Sequence, residues 1–340
     1  MGRMMREHGE ALSAWLARQA DATRVVLLDT SKLSGGAIQE NWAVDAEFEG
    51  GPLAGPQRLV LRKDSTSGVA ISLGRAEEFA LLRAAFDIGV TVPEPLWLCL
   101  DRSVIGTPFF VMRRVEGLTA GHQLVKNETL VPDRPALARQ LGRELVRIHS
   151  IRPPRADLSF LPEPAGPPAL ALVAEFRAWL EGQGKPQPCL EWGLRWLERN
   201  APPRDDLVLC HNDFRTGNYM VAEGRVSGIL DWEFAAWGDR MADIGWFCAP
   251  CWRFGARTAE AGGIGQIGDF LTGYEAESGI VIDRGQLAYW VAMATMRWAI
   301  IALQQAARHV SGGETNLELA LTAHIVPELE LDILEMTREG

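Results

Sequence analysis

A chain of 340 residues is long enough for about two domains. Apolar residues make up 47% and charged residues 23%, as in an ordinary soluble globular protein. The net charge of −10 excludes a basic footprint for nucleic acid or for an anionic membrane surface.

Met1 to Glu10 mixes Arg, Glu and His and has no apolar core of signal-peptide length, so a cytoplasmic protein is expected. Residues 3–20 read as a helix, because Leu12, Trp15 and Leu16 recur at helical spacing. Val25 to Leu28 reads as a short strand. Ser34, Gly35 and Gly36 follow, a hairpin turn or a flexible lid whose N–H groups approach phosphates. Residues 42–48 alternate with period two, and Arg58 to Arg62 form a further strand. Alternation puts Val60 and Arg62 on one face and Leu59, Leu61 and Lys63 on the other, so one cation of the two can face a nucleotide.

A helix is expected from Gly74 to Phe86, with Phe79, Leu82 and Phe86 on its stripe and Glu77, Glu78 and Arg83 off it. Residues 96–100 and 108–112 read as strands. Beyond Met112 helices dominate: Ala136 to Ile148, Leu170 to Leu180, Leu190 to Arg199, and the apolar run Leu287 to Leu303. The Pro-rich segment 152–168 reads as a surface loop. Trp179, Trp192 and Trp196 are expected in the core. The apolar run holds Arg297 and is shorter than about 20 residues, so it reads as a buried helix. The pattern predicts an α+β fold with a small sheet-rich lobe over 1–113 and a larger helical lobe over 114–340. Cys248 and Cys251 have C-x-x-C spacing, with no second pair or nearby His to complete a zinc site.

The chemistry concentrates in 207–233. His211, Asp213, Arg215 and Asn218 occupy a polar turn between apolar runs, and Asp231 and Glu233 follow a hairpin through Glu223 and Gly224. Phosphoryl transfer needs a carboxylate to take the proton of the attacking hydroxyl, oxygen ligands for Mg²⁺, and cations on the phosphates. Asn218 and Asp231 offer such oxygens, Asp213 is the candidate base, and Arg215 a candidate phosphoryl contact. His211 and Asp243 read as structural groups that fix the loop.

With this ordered set the chain resembles the aminoglycoside phosphotransferase / choline kinase family, relatives of the protein kinases, over almost its whole length. Leu33 to Trp42 resembles the nucleotide loop, Leu59 to Arg62 the lysine-bearing strand, Phe109 to Gly117 the hinge, and Gly238 to Trp246 the segment after the metal aspartate. The resemblance implies a protein-kinase-like fold and ATP- and Mg²⁺-dependent transfer to a small-molecule hydroxyl. It implies Asp213 as base, Asn218 and Asp231 as metal ligands, and Glu78 as partner of the strand cation. The backbones of Arg113 and Val115, with Met112 nearby, would meet adenine. Three departures stand out: Arg62 replaces the usual Lys, the glycine loop is shortened to Ser34-Gly35-Gly36, and Glu233 replaces a glycine.

The segment from Trp246 to Gly268 is aromatic and slightly basic, with Trp246, Trp252, Arg253 and Arg257 and the single acid Glu260. With Arg297, it suggests an anionic or partly apolar acceptor such as a hydroxy acid or hydroxyacyl compound. A choline-type or antibiotic kinase, a catalytically inactive nucleotide-binding protein, and a metal hydrolase built on His211, Asp213 and Asp231 are the alternatives. The acceptor and the oligomeric state are not legible in the sequence.

Overall fold

The computed structural model describes residues 3–33, 39–64, 73–203, 207–311 and 317–338. The expected nucleotide loop, Ser34, Gly35 and Gly36, lies outside the described residues. The chain forms two compact units: Met1–Glu116 with Gly228–Phe234, and Gly117–Ser227 with Ala235–Gly340. The sequence-based division at 113/114 differs in one respect that matters. The stretch bearing Asp231 and Glu233 returns to the first unit.

The first unit begins with α1 (Arg3–Gln19) and a five-stranded antiparallel sheet in the order β1-β2-β3-β5-β4. Its strands are β1 (Arg24–Lys32), β2 (Gln39–Glu49), β3 (Gly55–Asp64), β4 (Pro95–Cys99) and β5 (Phe109–Arg113). Helix α2 (Arg75–Asp87) follows β3, and the single turn α3 (Arg102–Ile105) joins β4 to β5. Leu12, Trp15 and Leu16 of α1 pack with Phe48, Leu59, Leu61, Phe109 and Val111 in one apolar cluster. Period-two alternation sends Val60 and Arg62 to the opposite face, where they pair with Met112 and Phe110.

Helix α2 departs from its expected stripe. It buries Arg75, Glu78, Leu81, Leu82, Ala84 and Ala85, while Phe79 and Phe86 are half-buried. A face chosen by apolar character alone misses Glu78, because a carboxylate can be buried where cations meet it.

The second unit opens with α4 (Gly121–Lys126) and α5 (Arg134–His149), whose start is capped by the Asp133 carboxylate accepting the Ala136 N–H. The Pro-rich segment is irregular apart from one 3₁₀ turn over Ala156–Leu158, and α6 (Pro168–Gln183) starts on a proline, which the first helical turn accepts. After α7 (Pro188–Arg199) come β6 (Val208–Cys210), the hairpin β7 (Tyr219–Ala222) and β8 (Arg225–Ile229), and β9 (Ala236–Gly238), which pairs with β6. Helices α8 (Arg240–Cys248), α9 (Ile267–Ser278), α10 (Arg284–Val310), α11 (Leu317–Thr322) and α12 (Val326–Thr337) complete the unit.

The three tryptophans of α6 and α7 are not core residues: Trp192 is 54% exposed, and Trp179 and Trp196 are half-buried. Helix α7 buries Leu190, Gly193, Leu194 and Leu197 instead. Helix α10 is 27 residues long and apolar enough to span a membrane by length and composition, yet Trp290, Met293, Met296 and Ile300 are buried within the chain. It is the core helix that the pattern over Leu287 to Leu303 suggested, extended to Arg284 at its start and to Val310 at its end.

Two glycines set how closely α5 and α9 approach. A Cβ on Gly142 would lie 2.3 Å from the Phe270 carbonyl oxygen, and one on Gly273 would lie 2.0 Å from that of Arg139. Backbone cannot yield as a side-chain tip can. Gly273→Ala is therefore expected to cost about 3 kcal/mol through overpacking. A urea midpoint equal to that of the native chain would refute this reading of the interface.

Candidate active site

In the second unit the catalytic turn is built on a buried carboxylate. Strand β6 is buried throughout, and the chain leaves it at His211, also fully buried. There the Asp243 carboxylate of α8 accepts the N–H of His211 on Oδ2 and that of Asn212 on Oδ1, both at 2.7 Å. His149, at the end of α5, places Nε2 3.2 Å from Asp243 Oδ2 and Nδ1 2.9 Å from the Tyr274 hydroxyl. Burial raises the Asp243 carboxyl, but the hydrogen bond of His149 and the donors of the loop outweigh it and hold it below the usual range. His211 and Asp243 thus serve as the expected anchors.

Asn212 takes the left-handed region, with φ +60°, and its carbonyl accepts Arg297 Nη1 at 2.7 Å. The Asp213 N–H donates to His211 Nδ1 at 3.2 Å. The Asp213 carboxylate is then surrounded by donors. Its Oδ1 accepts Arg215 Nε at 3.1 Å and the Trp246 indole N–H at 2.9 Å, and its Oδ2 accepts the amide of Asn218. The same amide nitrogen donates to the Asp213 backbone carbonyl at 3.0 Å, which leaves the side-chain oxygen of Asn218 as its group for a cation.

Around this carboxylate stands an aromatic wall with a cation on each of two rings. Arg215 lies 4.4 Å over Trp252, and Arg297 lies 4.5 Å over Trp246. Trp298 packs against both rings, 4.8 Å from Trp252 and 6.4 Å from Trp246. The acceptor residues expected from the sequence are accordingly in other employment. Trp246 and Trp252 are buried in this cluster. Arg253 donates to the carbonyls of Cys248 and Arg257. Arg257 is exposed. Arg297, for which an internal acid or a substrate anion was the expected partner, is held by a backbone carbonyl and a ring face. Burial lowers its pKa, against the charges of Asp213, Asp243 and Glu175.

The ligand atoms of His149, Cys210 and Asp243 lie within 4.8 Å of one another. Each has a protein partner: Cys210 Sγ donates to the Asp239 carbonyl at 3.2 Å, and burial raises its thiol far above the ordinary range. The cluster is a hydrogen-bonded anchor. Cys248 and Cys251 are free thiols, both pushed up to about 12 by burial.

The first unit holds a chain of alternating charges. Arg62 is 4% exposed, with Nε 2.9 Å from Glu78 Oε1 and Nη1 3.1 Å from Asp231 Oδ1. Arg75 contacts Glu78 from its other side and sets Nε 2.9 Å from Asp64. Burial works against the Arg62 charge, but Glu78 and Asp231 more than offset it and raise its pKa. The buried Nη2 of Arg62 has no hydrogen-bond partner among the described residues. Asp231 is a third exposed and sits at φ +61°. Glu233 is buried, its charge adding to those on Arg62 and its carbonyl accepting the Leu73 N–H at 3.0 Å.

Lys63, the other candidate on β3, lies 3.0 Å from Glu40. Burial raises that carboxyl, but bonds from Lys32 and Lys63 outweigh it and hold it at about 2. The strand cation is therefore Arg62. At the hinge the Arg113 N–H donates to the Glu94 carbonyl at 2.9 Å. Met112 is buried on β5 and Val115 half-buried after it. Sequence reasoning missed Arg75, although its i, i+3 spacing from Glu78 was a usable signal. It also missed the indole N–H of Trp246 as a donor, for which no sequence signal exists.

A model described as the phosphotransferase enzyme family matches residues 29–280. Among curated relatives, acyl-CoA dehydrogenase family member 11 of Pongo abelii is 26% identical over 296 residues, covering 84% of this chain and 38% of that protein. Acyl-CoA dehydrogenase family member 10 of Mus musculus is 29% identical over 203 residues, covering 56% and 18%. The chain thus spans less than two fifths of the length of these relatives. Among solved structures, a Ralstonia eutropha protein provisionally described as an aminoglycoside phosphotransferase has a TM-score of 0.78 at 22% identity, over 97% of this chain and 98% of that one. A spectinomycin phosphotransferase in complex with ADP and spectinomycin has 0.60 at 14%, over 96% and 98%. A choline/ethanolamine kinase family protein of Mesorhizobium loti has 0.58 at 18%, over 92% and 93%. At these identities the likeness is one of fold, a kinase-like two-lobed α+β architecture.

Because burial depresses the His149 imidazole, the group is neutral in the folded protein and must be protonated on unfolding in acid. Its contribution is complete above its unfolded value of about 6.5 and is lost as pH falls through the lower folded value. The native chain is expected to lose stability between about pH 6.5 and 5 more steeply than His149→Gln. Equal slopes of urea midpoint against pH would contradict the assignment.

Proposed function

The chain belongs to the phosphotransferase enzyme family, and we propose that it transfers the γ-phosphoryl group of Mg²⁺-bound ATP to a hydroxyl of a small molecule. The observation that carries this reading is Arg62. A buried guanidinium clamped by Glu78 and Asp231, with one nitrogen unpartnered among the described residues, suits a phosphate oxygen. The Arg113 carbonyl and the Val115 N–H, beside Met112, are the groups we assign to adenine.

The donor set fits Mg²⁺, which prefers carboxylate and amide oxygens. Asp231 offers a partly exposed carboxylate, and Asn218 an amide oxygen whose nitrogen is already bound to Asp213. These two groups would hold the ion, which would supply positive charge against the charge that develops on the transferring phosphoryl group. Asp213 orients the acceptor hydroxyl and accepts its proton as the oxygen attacks phosphorus. Arg215, bonded to Asp213, brings a positive charge to the same place.

For the acceptor we infer an anionic or partly apolar alcohol, a hydroxy acid or hydroxyacyl compound. Arg215 beside Asp213 and exposed Arg257 support it. So does the family name of the relatives, which refers to acyl-CoA.

An ATP-consumption screen against a panel of small alcohols tests the reaction. Asp213→Ala should lower kcat by at least about 100-fold while thermal stabilisation by Mg·ATP persists. Arg62→Ala should weaken Mg·ATP binding by about tenfold or more. No acceptor above background hydrolysis, with ATP binding intact, would favour the inactive nucleotide-binding reading. For the acceptor, Arg257→Glu should raise KM for an anionic alcohol several-fold and leave KM for ATP alone. An unchanged acceptor KM would remove Arg257 from recognition.

A further inference from the structure

Trp246 is buried, yet its one polar atom is not idle. Its indole N–H donates to Asp213 Oδ1 at 2.9 Å, on the same oxygen that receives Arg215 Nε. The ring is held from two directions. Helix α8 lies so close to α10 that a Cβ on Gly245, the residue before Trp246, would be 2.5 Å from the Trp290 carbonyl oxygen. That approach brings Arg297 of α10 over the indole face at 4.5 Å. Arg297 also binds the carbonyl of Asn212, the residue before Asp213, at 2.7 Å. One arginine thus clamps both the backbone that carries the carboxylate and the ring that bonds to it. Trp252 and Trp298 close the remaining sides.

A carboxylate on a short turn has two side-chain torsions that can carry its oxygens away from a reacting hydroxyl. Asn218 fixes Oδ2, and Arg215 is a long side chain a quarter exposed. The rigid donor on Oδ1 is the indole. We propose that Trp246 is a positioning residue for the catalytic carboxylate, locked in place by the Arg297 guanidinium on its face. The inference rests on the reading of Asp213 as the base.

The test uses the full chain, with Mg·ATP hydrolysis as the probe reaction, so that no acceptor need be known. Trp246→Phe keeps the ring and removes the donor. It should lower kcat about tenfold, the scale of one hydrogen bond to a charged group, and leave KM for ATP unchanged. In the Asp213→Ala background the same change should cause no further loss, because the residue through which it acts is absent. Trp237→Phe, which also removes a buried indole donor but one bonded to the Leu161 carbonyl, should keep the native rate. In ¹⁵N-labelled protein the Trp246 indole resonance, identified by its loss in Trp246→Phe, should shift in Asp213→Ala.

A kcat for Trp246→Phe within twofold of native would overturn the proposal. So would an equal proportional loss in both backgrounds, a matching loss in Trp237→Phe, or an indole resonance indifferent to Asp213→Ala. If Asp213→Ala itself hydrolyses ATP at the native rate, the reading of Asp213 as base falls with it. If Asp213→Ala is inactive and Trp246→Phe is not, the positioning role alone falls.

Discussion

A carboxylate with no exposure to water must find donors or lose its charge, and Asp243 finds three. Two are backbone N–H groups of the turn after β6, and the third is the imidazole of His149. The bonds to His211 and Asn212 hold Asn212 in a left-handed conformation that an Asn tolerates better than most side chains. That bend brings Asn212 and Asp213 out between buried His211 and buried Phe214. Without the anchor, the turn would be a loop with a choice of conformations, and the donors around Asp213 would have nothing fixed to meet. The cost of burying Asp243 is thereby offset by geometry at the residue that follows the turn.

The first unit solves a related problem with alternating charge. Asp231, Arg62, Glu78, Arg75 and Asp64 run in sequence, each between groups of opposite sign. Removing Arg62 or Glu78 would take one of two opposite charges from a buried neighbour, which costs more than the pair contributes when intact. An arginine suits this position because its fork can meet Glu78 and Asp231 together and still present a third nitrogen. A lysine, with one nitrogen on a flexible stem, would have to share a single centre among the same groups.

Much of this was legible along the chain. Helical and two-residue periodicities located most elements, and the spacing from His211 through Asn218 to Asp231 named the chemistry. The alternation in β3 separated Arg62 from Lys63. Where the reading failed, it failed on polarity. Glu78 was placed off the buried face of α2 because it is charged, and Trp192 in the core because it is aromatic. Burial of either kind depends on what stands opposite, and Arg62 and Arg75 come from other parts of the pattern.

The residues around Asp213 show the same division. That Asp213, Asn218 and Asp231 would share one kind of chemistry follows from residue types and spacing, because oxygen donors and a base are properties of single side chains. That Trp246 would turn its N–H to Asp213, that Arg297 would lie on that ring, and that Arg253 would bind carbonyls within its own turn, do not. They depend on how near α8 lies to α10 and on the bend at Asn212. The sequence by itself determined which side chains offer the base, the oxygen donors and the cations that the proposed reaction needs. The tertiary structure decided which of them are held still and by what, because hydrogen bonds and ring contacts join residues 33 and 51 positions apart in the chain as readily as neighbours.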